Sequence, residues 1–189
     1  MIASGRWRHL LKGLERGDSA TIDAHKWFAT TMGCGMFLVR DPAVLSATFQ
    51  VAASYMTSHE LSLDPYMNTV QWSRRFLGLR LFLSLAAAGW EGHAAHIERA
   101  VAQTAWIRDV LERRGWSIVN DSPFALLNVV PPASLCDPKT VVARVLGSGR
   151  AWVSAARFEE RDVIRICVTH GETSDADLAI LVETLDPRG

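Results

Sequence analysis

Apolar positions along the chain change their spacing several times, and each change marks an element. Trp7, Leu10, Leu11 and Leu14 share one helical face in a segment that ends at Gly17, and Ser19–Asp23 reads as a short buried strand. Gly35–Val39 predicts a second strand. Asp41-Pro42 then opens a helix through Phe49, with Asp41 as the cap and Pro42 at the first helical position, where its missing amide costs nothing. No period is sustained over residues 50–71, which carry Ser, Thr, Asp and Pro and read as a long loop. Loops of that length inside compact domains are functional or disordered.

A strongly apolar helix is predicted over residues 73–88, broken at Gly89, and an amphipathic one over 91–114. In the second, Ile97, Val101, Thr104, Ile107 and Leu111 recur at helical spacing, while Glu98, Arg99, Arg108, Glu112 and Arg113 face water. Both read as packing helices. After Gly115 the pattern turns to short strands near 117–119, 125–130, 151–156 and 163–168, with helices at 138–146 and 174–185. Thr173 or Ser174 caps the last helix, and Asp175 and Asp177 sit in its positive first turn. Strands joined this way predict a small α/β layer with helices on one face of a mostly antiparallel sheet.

At 189 residues, 49% of them apolar, the chain is long enough for a substantial core and for one domain, or a domain and a part. Basic and acidic residues balance at 20 each, so no general field draws it to nucleic acid or to an acidic membrane. The amino terminus lacks the apolar core of a secretory signal, and the longest apolar stretch, 76–90, is interrupted by Arg80 and too short to cross a bilayer. The three cysteines, Cys34, Cys136 and Cys167, form no metal-ligand spacing with the six histidines. They read as small buried hydrophobes in a reducing compartment, so the expected location is the cytoplasm, with no bound metal.

The chemistry concentrates at Asp23-Ala24-His25-Lys26-Trp27-Phe28. Lys26 is one of three lysines in a chain whose other basic residues are arginine, and an amine, unlike a guanidinium, can lose its proton. Schiff-base formation with an aldehyde needs such an amine, and pyridoxal phosphate enzymes are its commonest users. A free lysine, with a pKa of about 10.4, is a poor nucleophile at neutral pH until desolvation or a neighbouring cation favours its neutral form. His25 adds a candidate donor for a phosphate. Taken alone, the His-Lys pair reads first as a surface lysine beside a packed histidine.

The residues around it extend the pattern. Asp18-Ser19-Ala20-Thr21-Ile22-Asp23-Ala24-His25-Lys26-Trp27, followed by Gly33-Cys34-Gly35-Met36-Phe37-Leu38-Val39-Arg40-Asp41, resembles the lysine-bearing segment of the pyridoxal-phosphate-dependent amino acid decarboxylases, the aromatic-L-amino-acid, glutamate and diaminobutyrate group. Ala53-Ser54-Tyr55-Met56 and Ser73-Arg74-Arg75-Phe76-Leu77-Gly78-Leu79 are similar to the family's next two landmarks. Gly149-Arg150-Ala151-Trp152-Val153-Ser154 and Ile164-Arg165-Ile166-Cys167-Val168-Thr169 are similar to its last two strands. The landmarks follow the family's order across nearly the whole chain.

The resemblance implies an α/β fold: residues 1–88 as the carboxy-terminal part of a fold-type I large domain, and 89–189 as a complete small α/β domain. It implies pyridoxal 5'-phosphate as cofactor, Lys26 as the residue that holds it, and His25 and Asp23 as further cofactor contacts, Asp23 standing where the family often has an asparagine near the phosphate. It implies a tyrosine on a mobile loop as proton donor, for which Tyr66 is the candidate; Tyr55 is the only other tyrosine. The family is a homodimer with its active site at the subunit interface, and its members are more than twice as long. Their amino-terminal portion supplies most phosphate donors and the aspartate that faces the pyridine nitrogen. Asp18 and Asp23 are poor substitutes for that aspartate.

The implied function is therefore an amino acid carboxy-lyase completed by a second copy and by an amino-terminal portion or chain, inactive without the latter. The alternatives are a non-catalytic remnant or dimerisation module of the same fold, or another reaction on the same scaffold, such as aldehyde formation. Arg74 and Arg75 read either as a structural ion pair at a helix start or as donors to an anion. His59, His93, His96 and His170 read as packed or solvent-facing.

Overall fold

The structure is a computed structural model that describes residues 2–49 and 65–188. The chain divides into two compact units, Met1–Trp90 and Glu91–Gly189.

The first unit is built on a hairpin. β1 (Ser19–Asp23) and β2 (Gly35–Val39) pair antiparallel, from Ser19 opposite Val39 to Asp23 opposite Gly35. The hairpin is not buried, although the sequence predicts a buried strand over Ser19–Asp23. None of its residues is buried, and Phe37 and Leu38 are 57% and 51% exposed, because a two-stranded sheet has no third layer to cover its apolar side chains. The expected first helix is also replaced, by 3-10 turns at Arg8–Leu11 and Leu14–Arg16. Gly13 between them takes a left-handed φ of 101° that interrupts any continuous helix.

A single turn, α1 (Ala24–Trp27), follows β1. α2 (Ala43–Phe49) starts where the Asp41 carboxylate accepts from the Ala43 amide at 2.9 Å. Most of the loop predicted over 50–71 lies outside the described residues; Pro65–Asn68 forms a 3-10 turn. α3 (Gly78–Arg113) begins five residues later than the apolar run suggests, because the Leu77 amide turns back to the Arg75 carbonyl at 2.8 Å. Gly89, at φ 63° and ψ 177°, breaks α3 as expected, since that left-handed backbone is open to glycine at little cost.

The second unit holds almost all of the described core. Along the later half of α3, Ile97, Ala100, Thr104, Ile107 and Leu111 form the buried stripe. A left-handed Gly115 ends the helix, so that the Trp116 amide reaches the Leu111 carbonyl at 3.0 Å. β3 (Ser117–Ile118), β4 (Leu126–Val130), β5 (Ser154–Phe158) and β6 (Arg161–Cys167) form an antiparallel sheet in the order β3-β4-β6-β5. β5 starts three residues later than the pattern predicts.

Leu127 lies opposite Ile166 and Val129 opposite Ile164, which puts all four on one face, fully buried. α4 (Pro138–Gly147) packs against β5, β6 and α5 (Asp175–Leu185), contributing Val141 and Val145 to a core shared with Leu178, Val182 and Leu185. Both helices start at caps. The Asp137 carboxylate accepts from the Lys139 and Thr140 amides, and Ser174 and Asp177 form a reciprocal capping box. All three cysteines are free thiols, but only Cys34 is buried, so the packing role expected of Cys136 and Cys167 does not hold.

The carboxy-terminal end of α5 is locked by a buried charge. Asp186, 1% exposed, accepts from Trp116 Nε1 at 2.9 Å and from Arg188 Nε and Nη2 at 2.8 and 2.7 Å. Arg188 also donates to the Ser134 hydroxyl and the Arg114 carbonyl, and Arg114 donates to the Asp186 carbonyl. The Arg188 hydrogen bonds, with help from Trp116 and against the cost of burial, hold the Asp186 carboxyl well below the usual carboxylate range.

A carboxylate depressed by folding adds stability that is present above its unfolded pKa, about 3.9, and is lost as pH falls below that value toward the folded one. Asp186→Asn should cost about 2 kcal/mol at neutral pH, the worth of hydrogen bonds to a charged group. It should also flatten the acid limb below about pH 4. Urea unfolding followed at the Trp116 indole resonance checks both.

Candidate functional site

β1 ends at Asp23, and α1 carries His25 and Lys26 away from the strand in one turn. The turn is fixed by one acceptor. The Cys34 carbonyl receives the His25 backbone amide at 3.1 Å and the His25 ring Nδ1 at 3.0 Å. A carbonyl only accepts, so Nδ1 carries the proton and Nε2 of the neutral ring is an acceptor. His25 therefore donates to a phosphate only as the imidazolium.

Cys34 is in turn held from behind. Its side chain is 2% exposed and its thiol donates to the Leu77 carbonyl at 3.7 Å. The Arg80 guanidinium donates to the Met32 carbonyl at 3.0 Å, and the Ser84 hydroxyl donates to the Phe28 carbonyl. Ala29, just past the turn, is held at φ 50°, a left-handed conformation that costs a non-glycine residue about 1 kcal/mol.

Lys26 Nζ donates to Asp23 Oδ2 at 2.5 Å across the i,i+3 spacing of the turn, with side-chain exposures of 61% and 42%. The lysine hydrogen bond, then the charge itself, holds the Asp23 carboxyl below its ordinary value. The structure thus brings together Asp23, His25 and Lys26, although Asp23 is occupied by Lys26. Tyr66 lies on the Pro65–Asn68 turn, its ring 5.8 Å from that of Trp72. Tyr55 lies outside the described residues.

Sequence reasoning missed Cys34 as a positioning residue. Its place in Gly33-Cys34-Gly35, at the start of the strand that pairs with the lysine-bearing one, was the available signal.

This group fits the covalent end of pyridoxal phosphate: an accessible primary amine on an anchored turn. It offers less to the other end of that molecule, since Asp18 has a 99% exposed side chain and Asp23 is bound to Lys26. Among the described residues no cluster of His, Cys, Asp or Glu could hold a metal ion, and no helix is long and apolar enough to cross a membrane.

Residues 1–128 match the pyridoxal-dependent decarboxylase conserved domain. The chain is 25% identical to an aromatic-L-amino-acid decarboxylase of Bacillus atrophaeus over 190 residues, 94% of this chain and 40% of that protein. It is 32% identical to the cysteine sulfinic acid decarboxylase of Mus musculus over 143 residues, 70% of this chain and 29% of that protein. Its fold matches the crystal structure of Oryza sativa TDC with PLP and tryptamine at a TM-score of 0.89 and 23% identity, covering 97% of this chain and 41% of that one. Mouse CSAD matches at 0.86 and 24% identity, over 98% and 43%. The chain thus spans less than half the length of these relatives.

The ion pair is open to direct measurement. Asp23 should titrate below about 3.9, and Lys26→Met should move its midpoint upward, as read from the side-chain carboxyl carbon by NMR. Because folding depresses this pKa, the pair holds above it and is lost as pH falls through it. An Asp23 midpoint unchanged by Lys26→Met would show that the contact does not persist in solution.

Proposed function

The chain belongs to the pyridoxal-dependent decarboxylase family, and we propose that it carries the cofactor-attaching lysine, Lys26, of an amino acid carboxy-lyase. It works together with the portion of the fold that its relatives hold in the rest of their length. The observation that supports this is an accessible amine on a turn anchored through Cys34, within the stretch that matches the family. When bound, pyridoxal phosphate supplies the conjugated ring that takes up the electron pair left as the substrate's carboxylate departs.

The chain's own residues perform the remaining tasks. To hold the cofactor at its aldehyde carbon, with loss of the carbonyl oxygen as water, Lys26 Nζ would first have to give up a proton and its bond to Asp23. Asp23, a weakened base, is a poor acceptor for that proton, which passes to hydroxide or a buffer base in solution. Asp23 instead receives the Lys26 ammonium whenever the lysine is released. A carboxylate cannot contact a phosphate without a bridging donor, so a cofactor contact from Asp23 runs through such a donor. His25 orients the turn and, as the imidazolium, offers Nε2–H to the phosphate. Tyr66 is assigned as donor of the proton that replaces the carboxylate.

The exposed apolar side chains of the first unit, among them Ile22, Phe37, Leu38, Phe82 and Leu83, support a homodimer or a complementing amino-terminal polypeptide as partner. The free and exposed thiols of Cys136 and Cys167 support a reducing, cytoplasmic setting. The amino acid side chain recognised is set largely outside this chain.

A chimera in which this chain replaces the corresponding portion of the Bacillus atrophaeus relative tests the reading. It should release carbon dioxide from an aromatic L-amino acid, whereas the chain alone should bind the cofactor weakly and release none. Lys26→Ala should abolish release, and Tyr66→Phe should lower kcat about a hundredfold with the cofactor still bound. Full activity in the Lys26→Ala chimera, or release by the chain alone, would overturn the proposal. Loss in Tyr55→Phe but not in Tyr66→Phe would move the donor to Tyr55.

A further inference from the structure

The end of the hairpin that holds Gly35, the partner of Asp23 in the strand register, opens on a cavity of about 570 Å³ that none of Asp23, His25 or Lys26 lines. Its apolar wall includes Phe37, Leu45 and Phe76, and its polar groups include Asn68, Arg74 and Arg75. The volume is in the range of small-molecule sites. No carboxylate side chain is among the described residues that line it.

The sequence leaves two uses for the adjacent arginines, an ion pair at a helix start or a contact to an anion. The first is not realised among the described residues: neither guanidinium has an ion-pair or hydrogen-bond partner there, whereas Arg40, Arg150, Arg157 and Arg188 each have an acidic one. Asn68 adds to the positive character, because its Oδ1 accepts from the Ser46 hydroxyl at 2.9 Å and its NH2 group is left to donate. Gly78, the first residue of α3, also lines the cavity and brings the positive end of that helix to it. Two like charges side by side repel, and an anion between them offsets the repulsion through charge-assisted, bidentate hydrogen bonds.

We propose that this cavity binds a small organic anion, a phosphate or carboxylate carried on an apolar body, with Arg74 and Arg75 on the charge and Phe37 and Phe76 against the body. The site stands independently of cofactor attachment at Lys26. Both arginines are exposed and therefore screened, so the charge alone holds an ion weakly, and the apolar wall supplies the preference for an organic anion.

Isothermal titration of the full chain at low ionic strength with phenyl phosphate, benzoate and inorganic phosphate tests this. Saturable binding of phenyl phosphate or benzoate, tighter than inorganic phosphate, is expected, and whichever of the two binds more tightly identifies the charged group. Arg74→Gln and Arg75→Gln should each weaken it about tenfold, the scale of one hydrogen bond to a charged group. Arg150→Gln, which removes a surface pair with Glu183 in the second unit, should leave it unchanged. Since neither Arg74 nor Arg75 is buried, unchanged far-UV circular dichroism is expected of these variants. The proposal is overturned if neither aromatic anion binds saturably, if the double variant binds as well as the original chain, or if inorganic phosphate binds as tightly as both.

Discussion

The arrangement around Lys26 depends on the carbonyl of Cys34. Two donors from one residue, the His25 amide and its Nδ1, converge on that oxygen. They fix the direction in which the chain leaves β1 and hence where α1 presents its amine. Holding the acceptor still takes a buried side chain, and Cys34 supplies it, with its thiol on the Leu77 carbonyl and almost none of its surface in water. A larger residue at this position would displace the carbonyl, and with it the turn. The lysine itself needs no burial; the backbone beneath it places it.

The two units use opposite strategies. The second closes a core of β4, β6, α4, α5 and the later half of α3, and finishes with a buried carboxylate held by Trp116 and Arg188. The first buries little among the described residues: Ala24, Cys34, Ser4 and Thr30, all small. Its large apolar side chains, from Ile22 and Phe37 on the hairpin to Phe82 and Leu83 on α3, face outward. A two-stranded sheet is marginal by itself, and apolar surface of this kind supports the partner proposed above. In its relatives the corresponding stretch belongs to a chain more than twice as long, which accords with a surface made to be covered.

Elements whose stability is local were legible in the sequence. Asp41 and Ser174 cap helices because their side chains reach amides two or three residues away, and Gly89 and Gly115 take the left-handed backbone that a glycine permits. The stripe from Ile97 to Leu111 follows from helical spacing alone. Properties set by neighbours distant in sequence were not legible. Ser19–Asp23 has the composition of a buried strand and is exposed, because burial depends on layers that a strand's own residues do not encode. The start of α3 at Gly78 rather than Ser73 follows from a backbone turn at Arg75, and propensity gives no sign of it. At the candidate site, the motif alone points to Lys26 and His25. The Asp23 ion pair and the dual acceptor at Cys34 are matters of geometry, as is the absence of a partner for Arg74 and Arg75 among the described residues.

The central claim is that Lys26 carries the cofactor. Borohydride reduction of the chimeric holoenzyme, followed by proteolysis and mass mapping of the pyridoxyl group, tests it most directly. The account predicts the label on the peptide containing Asp23-Ala24-His25-Lys26-Trp27. A label on Lys12, or on Lys139, which the structure pairs with Asp162 at 3.0 Å, with Lys26 unmodified, would contradict it.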